Sequence, residues 1–351
     1  MTEQTTASIR LSSVEQWLHS HLRPETVESA RGLYELMPLQ RNGQLPFVDV
    51  PYDPRSEAHW ADAARVADYV AHLPEEGRRV LDVGPGDGWP ALPFAAQRPD
   101  VTVVGVDASP LRTEVCTSNA RRLGLANATF VAADAARLPF DDASFDLVTA
   151  ASSLEEAADS ESVLRELVRV LRPGGVLRAS YQDWKLGVPG FETVMLWSGV
   201  DVLLYTYVRR VQVPPVERRY TVVLPKHEQT ERLFADALAD VADGRRAYGE
   251  TLLDAGTGIP LLERLSPYAE RCSLVEMRRW DTASLCAALE RAGFTSVRAT
   301  VHPGELGRRF AREILREDAM GDFAELFPVA TAALGRLAGS QAGEAMIAAE
   351  R

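Results

Sequence analysis

Residues 80–89 have the sequence VLDVGPGDGW, and the predicted organisation of the chain follows from them. The apolar run 80–83 is typical of a buried strand, and the glycine-rich segment after it ends that strand. Residues 89–96 then predict a short helix with two prolines in its first turn, where a missing N–H costs no intrahelical bond. A strand, a glycine loop and a helix N-terminus in this order indicate a ligand site, because bare backbone permits close approach and exposed N–H groups point outward.

The spacing of the glycines and the next strand narrow the choice of ligand. Gly84, Gly86 and Gly88 form GxGxG rather than the GxGxxG that binds a dinucleotide pyrophosphate. The following strand, residues 101–106, ends at Asp107. A carboxylate at a strand tip is placed to accept hydrogen bonds from two ribose hydroxyls, so we expect a ribose-containing ligand.

At this point the sequence resembles the class I S-adenosylmethionine-dependent methyltransferases. Their first motif is an acidic residue, an apolar residue and GxGxG, matched here by Asp82, Val83 and the three glycines. Three further landmarks follow in the family's order within residues 78–184: the third strand with its acidic residue at 130–134, the approach to strand four at 140–148, and the turn into strand five at 172–177.

The resemblance implies an α/β fold, a doubly wound Rossmann-like sheet of seven strands, and S-adenosyl-L-methionine as the cofactor. Asp134 would meet the adenine amino group. The residues implied to bind the cofactor are Asp82, Gly84, Pro85, Gly86, Gly88, Asp107, Ala108, Asp134, Ala135 and Ser152. The family fixes no catalytic base by motif, so the catalytic residues stay unknown.

Alternating strands and helices extend through strand five, after which the pattern departs from the bare fold. The next matching helix is 282–292, so residues 185–280 are predicted to be an insertion that acts as a lid. The expected organisation is an N-terminal helical cap at 1–74, the binding core at 75–184, the lid and acceptor insertion at 185–280, and the end of the core at 281–351 with a helical excursion at 305–337.

Periodicity predicts the local structure outside the first five strands. Helices are expected from Ser12 or Ser13 to Leu22 and from Pro24 onward. In the insertion we expect helices at 191–204 and 227–247 and a hairpin of 205–213 with 218–224. Strand six is predicted at 296–301, and 344–349 is predicted as a seventh strand, antiparallel between five and six.

Composition limits the class of partner. A hydrophobic fraction of 46% supplies a core, and the net charge of −12 disfavours nucleic acid. The adenine-methylating signature is missing after strand four, where residues 150–154 read AASSL. The chain has neither an apolar run that could span a membrane nor an N-terminal apolar segment of a secretion signal, so a cytoplasmic location is expected. Three cysteines without CxxC spacing indicate reduced thiols.

Metal binding finds no support in the sequence, because the six histidines form no HxxxH or HExxH pair. Each candidate residue for the acceptor site has two possible interpretations. Glu156 either faces the acceptor or opens a solvated helix turn, and Tyr181, Asp183 and Trp184 either border the acceptor or pack the loop. The remaining candidates for the acceptor site, against ordinary packing or solvation, are Tyr52, His59, Trp60, Tyr205, Tyr207, Arg209 and Arg210.

The sequence therefore predicts an enzyme that transfers a methyl group from S-adenosylmethionine to a small-molecule acceptor. We expect it to act in specialised metabolism, because a large lid that the bare fold lacks suits an unusual acceptor. Two alternatives remain: a cyclase that binds S-adenosylmethionine, and a non-catalytic regulatory module that keeps the nucleotide site. The sequence specifies neither the acceptor and its methylated atom nor the oligomeric state.

Overall fold

A computed structural model describes residues 9–28, 31–36, 56–157, 159–186, 192–199, 201–238, 246–247, 250–316, 320–336 and 345–351. The chain divides into two compact units. The core unit comprises Leu39–Gly187 and Trp280–Arg351, and the insert unit comprises Met1–Pro38 and Val188–Arg279.

Helices and strands alternate through most of the described chain. The helices are α1 Ser13–His21, α2 Arg31–Leu36, α3 Glu57–Ala71, α4 Ala91–Gln97, α5 Pro110–Arg122, α6 Ser160–Val170, α7 Glu228–Leu238, α8 Ala255–Leu265, α9 Thr282–Ala292, α10 Pro303–Arg316 and α11 Met320–Gly335. The strands are β1 Glu25–Thr26, β2 Arg79–Val83, β3 Thr102–Asp107, β4 Ala128–Ala132, β5 Phe145–Ala151, β6 Leu171–Tyr181, β7 Glu192–Ser198, β8 Val202–Val211, β9 Val216–Pro225, β10 Arg246–Ala247, β11 Glu250–Asp254, β12 Arg271–Arg278, β13 Thr295–Thr300 and β14 Ala345–Glu350.

The core unit is built on a seven-stranded sheet with the order β13-β14-β6-β5-β2-β3-β4. Strands β2 to β6 pair in parallel, and β14 is antiparallel to both β6 and β13. The order reverses direction at β2, so the carboxyl ends of β2 and β3 lie beside the point where an open α/β sheet binds ligands. The predicted fold class, including the antiparallel seventh strand, is confirmed.

Helices cover both faces of this sheet. Its strands are apolar on both sides, so each face buries side chains against a helix layer. Successive side chains of a strand point to opposite faces, so neighbours along β2 enter different clusters. Leu81 packs with apolar residues of α6 and α9. Val80 packs with residues of α3 and α4, among them Tyr69 and Leu92. The same alternation turns Asp82 toward the α4 side, and that places a carboxylate beneath the glycine loop.

The insert unit is built on a second seven-stranded sheet, with the order β1-β12-β9-β8-β7-β11-β10. The predicted hairpin is confirmed as β8 and β9, which pair from Val202↔Pro225 to Val211↔Val216. The predicted helix over 191–204 is wrong: 192–198 forms β7, and β8 begins at Val202. Pairing with β8 and β11 on either side decides this segment, because Val194 and Leu196 then point into one apolar cluster.

Other insertion and N-terminal predictions are met in part. The helix over 227–247 is found as α7, which ends at Leu238; Arg246–Ala247 is strand, and 239–245 lies outside the described residues. The first N-terminal helix is confirmed as α1, capped by Ser12. The second gives β1 and the short α2. The segment expected as one N-terminal cap is divided, with α1 in the insert unit and α3 in the core unit.

Candidate functional site at the carboxyl ends of the core strands

The glycine loop has a backbone that side chains rarely permit. Gly84 and Gly86 have φ values of +69° and +57°, in the left-handed region. A Cβ on Gly84 would lie 2.6 Å from the Cβ of Ser153, whereas a Cβ on Gly86 would meet no atom within 4 Å. Gly84 therefore serves close packing within the protein, and Gly86 faces open space.

Other parts of the loop are held by neighbouring elements. Pro85 is buried, and its Cγ would lie 3.1 Å from a Cβ on Gly105 of β3. The N–H of Gly84 donates to the carbonyl of Val106 at 2.8 Å. A Cβ on Gly88 would lie 2.3 Å from Leu92 Cδ1 in α4. The loop is thus packed between β3 and α4.

Asp82 is fully buried, and both of its carboxylate oxygens are engaged by the protein. Oδ1 accepts a hydrogen bond from Thr149 Oγ1 at 2.8 Å, and Oδ2 accepts one from the N–H of Ala91 at 3.0 Å. Burial raises the pKa of Asp82 to about 7, against the lowering effect of these two hydrogen bonds. The carboxylate therefore fixes the start of α4 relative to β5.

Asp107 stands at the tip of β3, half-buried, beside the glycine loop. Its Oδ1 accepts a hydrogen bond from the N–H of Ser109 at 2.8 Å. Burial raises the pKa of Asp107, while the N–H groups of Ser109 and Gly86 and the charge of Arg112 lower it. Ala108, the next residue, is exposed. The structure thus brings the carboxylate of Asp107 to the open side of the loop at Gly86.

Asp134 follows β4, the edge strand beyond β3. It is exposed, and its Oδ1 accepts a hydrogen bond from the N–H of Ala136 at 2.9 Å. The N–H of Ala133 donates to the carbonyl of Asp107 at 3.0 Å, which joins the two strand ends. Ala135 beside it is half-buried. The two carboxylates therefore belong to adjacent loops at one edge of the sheet.

Ser152 follows β5 in an unusual conformation, with φ of +52°. It is exposed, and its N–H donates to the carbonyl of Ser180 at 3.0 Å, which fixes it beside the end of β6. The neighbouring Ser153, which the sequence reasoning missed, donates its hydroxyl hydrogen bond to the carbonyl of Val83. In the sequence, Ser153 is marked only by its place in the pair of serines that follows β5.

Several candidates for the acceptor site near the ends of β5 and β6 are internal. Glu155 rather than Glu156 is the buried acid after β5, and it accepts a hydrogen bond from the N–H of Gln182 at 3.2 Å. Asp183 is engaged through both oxygens: Oδ1 accepts from the N–H groups of Lys185 and Leu186, and Oδ2 accepts from the N–H and hydroxyl of Thr282. These contacts favour the loop-packing interpretation of Asp183.

Two aromatic neighbours of Asp183 are internal as well. Tyr181 is 2% exposed, and its hydroxyl lies 2.6 Å from the hydroxyl of Thr282. Trp184 is also 2% exposed, and its N–H donates to the carbonyl of Trp280 at 3.1 Å. Both residues pack within the core unit.

Earlier in the chain, Trp60 is buried against Ala64, Ala311 and Phe327, which is ordinary helix packing. His59 is half-buried, and Tyr52 lies outside the described residues.

The two interpretations of Tyr205, Tyr207, Arg209 and Arg210 were a cationic acceptor pocket and a solvated hairpin face, and the described hairpin supports neither for the tyrosines. Tyr205 and Tyr207 are fully buried in the apolar cluster of the insert unit. Arg209 pairs with Glu15, and Arg210 pairs with Glu217 at 2.9 Å. Alternation along β8 explains the burial of the tyrosines, because both fall on the face that packs against the helices of the insert unit.

Within the described parts of the chain, His, Cys, Asp and Glu side chains form no group of three that could hold a metal ion. No helix among these residues is long and apolar enough to cross a membrane.

Comparison with known proteins points to one enzyme family. The family described as "Methyltransferase domain" matches residues 81–179. Methyltransferase GfsG of Streptomyces halstedii is 43% identical over 208 residues, which cover 51% of this chain and 74% of that protein. The 27-O-demethylrifamycin SV methyltransferase of Amycolatopsis mediterranei is 42% identical over 102 residues, covering 29% of this chain and 37% of that protein. Among solved structures, the CcbJ methyltransferase of Streptomyces caelestis has 14% identity and a TM-score of 0.48, covering 92% of this chain and 96% of that one.

Proposed function

Because the chain belongs to the class I S-adenosylmethionine-dependent methyltransferases, with S-adenosylmethionine as its cofactor, we propose that it methylates a small organic acceptor in specialised metabolism. Several relatives are named for small organic acceptors, among them 27-O-demethylrifamycin SV and demethylmenaquinone, although each alignment covers less than half of those proteins. The insert unit has a seven-stranded sheet of its own. This large addition supports the proposal of an acceptor that the core unit alone would not recognise.

One observation carries the proposal: a half-buried carboxylate lies beside an open, side-chain-free stretch of backbone. The Asp107 carboxylate is held at the end of β3, and the position of a Cβ on Gly86 is unobstructed to 4 Å. These residues fit an adenosyl donor. Asp107 would accept hydrogen bonds from both ribose hydroxyls, and Gly86 would allow the donor to approach the backbone closely.

The other cofactor residues fall into two groups: those proposed to contact the donor, and those proposed to hold the glycine loop. Asp134 and Ala135 are proposed to meet the adenine, Ala108 the ribose, and Ser152 the methionine end of the donor. Asp82, Pro85, Gly84 and Gly88 are proposed to act through the loop, since their contacts are made to the protein itself. This division separates variants that weaken donor binding alone from variants that also lower stability.

The bound cofactor supplies an activated methyl group on a sulfonium. The protein then contributes mainly alignment, which is worth roughly 7 to 11 kcal/mol in well-oriented reactions. No residue is assigned as a base, because Glu155, Tyr181 and Asp183 are internal. We propose that the insert unit provides the acceptor specificity and shields the reaction from water.

Label transfer tests the proposal. The protein is incubated with methyl-labelled S-adenosylmethionine and a low-molecular-mass metabolite extract, with Asp107→Ala as the inactive partner. We expect label in a small organic product with the parent protein and none with the variant. Label that enters only macromolecules, or no label from a protein that binds S-adenosylhomocysteine, would contradict the proposal.

A further inference from the structure

One face of α5 carries three buried polar side chains, Arg112, Cys116 and Asn119. Their spacing of i, i+4 and i+7 places them on the same side of the helix. They are 7%, 0% and 3% exposed. α5 starts directly after the β3 tip, so this face lies next to the loop that follows β2.

All three side chains contact two consecutive residues of the glycine loop. Arg112 forms an ion pair with the fully buried carboxylate of Asp87. Asn119 Nδ2 donates to the carbonyl of Asp87 at 3.0 Å. The Cys116 thiol donates to the carbonyl of Gly86 at 3.1 Å. The left-handed backbone at Gly86 is therefore held from one helix face.

The same helix also holds Asp107. Its N-cap residue, Ser109, donates a backbone N–H to Asp107 Oδ1 at 2.8 Å, and the Ser109 hydroxyl accepts from the N–H of Arg112 at 3.4 Å. A shift of α5 would therefore move both the loop and the Asp107 carboxylate. The glycine loop and Asp107, the two parts of the proposed donor site, are therefore both held by α5.

The charges around Asp107 are predominantly acidic. Asp82 from β2 and Asp87 from the loop are buried carboxylates, and Cys116 from α5 is a further titratable neighbour. Arg112 is the guanidinium whose charge lowers the pKa of Asp107, against burial, which raises it. Replacing Arg112 by a neutral side chain would therefore favour protonation of Asp107.

We propose that Arg112 is a positioning residue of the donor site: its buried ion pair with Asp87 holds the glycine loop next to the Asp107 carboxylate, which Ser109 of the same helix holds. The inference rests on the proposed role of Asp107 as the ribose ligand. An ionised carboxylate accepts from both ribose hydroxyls, whereas a protonated one must use one oxygen as a donor.

Calorimetric titration with S-adenosylhomocysteine at pH 6 and pH 8 tests this role. For Arg112→Gln we expect about a tenfold loss of affinity relative to the parent protein, because the glycine loop is no longer held, and a larger loss at pH 6 than at pH 8, because protonation of Asp107 is then favoured. Arg112→Lys keeps the charge and is expected to show no extra loss at pH 6. Arg121→Gln, at an exposed position in the last turn of the same helix, is the matched control and is expected to bind like the parent.

No loss of affinity in folded Arg112→Gln, or a loss in Arg112→Lys as large as that in Arg112→Gln, would overturn the proposal. If Arg112→Gln does not fold, as judged by thermal unfolding, Asp87→Asn tests the loop contact, because it removes the ion pair and keeps the side-chain shape. A folded Asp87→Asn variant with full affinity would also overturn it. Asp107→Asn distinguishes failure of the ribose assignment from failure of the role of Arg112. If Asp107→Asn keeps full affinity, the ribose assignment fails. If it loses affinity while Arg112→Gln does not, only the role of Arg112 fails.

Discussion

The hydroxyl of Thr149 donates a hydrogen bond of 2.8 Å to the carboxylate of Asp82, and these residues are register partners in the adjacent parallel strands β5 and β2. Burial raises the pKa of Asp82 to about 7, from an ordinary value of 3.8. Between these values the folded protein binds a proton that the unfolded chain has released. Stability from this group is therefore fully present below about pH 4 and is lost as pH rises toward 7.

Asp82→Asn should remove this dependence, because asparagine can accept from Ala91 and donate to Thr149 without ionising. We expect the free energy of unfolding of the variant, relative to the parent, to increase by a few kcal/mol, on the order of 1.4 per pKa unit, between pH 4 and pH 7. Urea unfolding at both pH values measures it. A difference that stays constant with pH would contradict the assignment of a raised pKa to Asp82.

Gly84 and Gly86 should respond differently to alanine. Gly84→Ala places a Cβ 2.6 Å from that of Ser153, so we expect a loss of stability beyond the roughly 1 to 3 kcal/mol of backbone strain. Gly86→Ala carries the strain alone and fills open space, so its affinity for S-adenosylhomocysteine should fall more than its stability. Thermal unfolding and calorimetry measure the two effects. The distinction fails if both variants lose the same stability and the same affinity.

Asp68 of α3 and Arg178 of β6 form a fully buried bidentate ion pair, with N···O distances of 2.8 and 3.1 Å. Arg178→Met leaves the Asp68 carboxylate without this partner and should cost about 3 to 5 kcal/mol of unfolding free energy in urea. Joint replacement by Asp68→Leu and Arg178→Met should cost less than the single change. Arg98→Met, which breaks the more exposed pair with Asp100, is the control and should cost much less than Arg178→Met.

Glu217 in the insert unit is surrounded by Arg210, Arg219 and Arg279. Burial raises its pKa, but the three guanidiniums outweigh burial and lower it to about 2. The resulting stability is present above pH 4.5, the ordinary value, and is lost as pH falls toward 2. Glu217→Gln should therefore flatten the acid side of the stability profile. An unchanged slope between pH 4.5 and pH 3 would rule out this linkage.

The core was predictable because its signals are local. The run 80–83, the spacing of Gly84, Gly86 and Gly88, and the acid at position 107 all fall within thirty residues or so of chain, in the order that a parallel sheet requires. Strand 345–350 was predictable from the family's order, and the structure pairs it between β6 and β13.

The insert unit was less predictable because its strands are selected by distant partners. Residues 192–198 form β7 through pairing with β8 and β11, which local periodicity does not report. The support of the site was missed for the same reason. Arg112 pairs with Asp87, and Ser153 donates to the carbonyl of Val83. These residues are distant in the sequence, so their spacing carries no sign of the contacts.

Titration of the full chain with S-adenosylhomocysteine, before and after Asp107→Ala, tests whether the Asp107 carboxylate binds the donor. Asp141→Ala is the matched control, since Asp141 is an exposed acid elsewhere on the core unit. We predict binding by the parent and by Asp141→Ala, and loss of measurable binding by Asp107→Ala with its thermal unfolding preserved. Full affinity in a folded Asp107→Ala variant would contradict the account of the donor site.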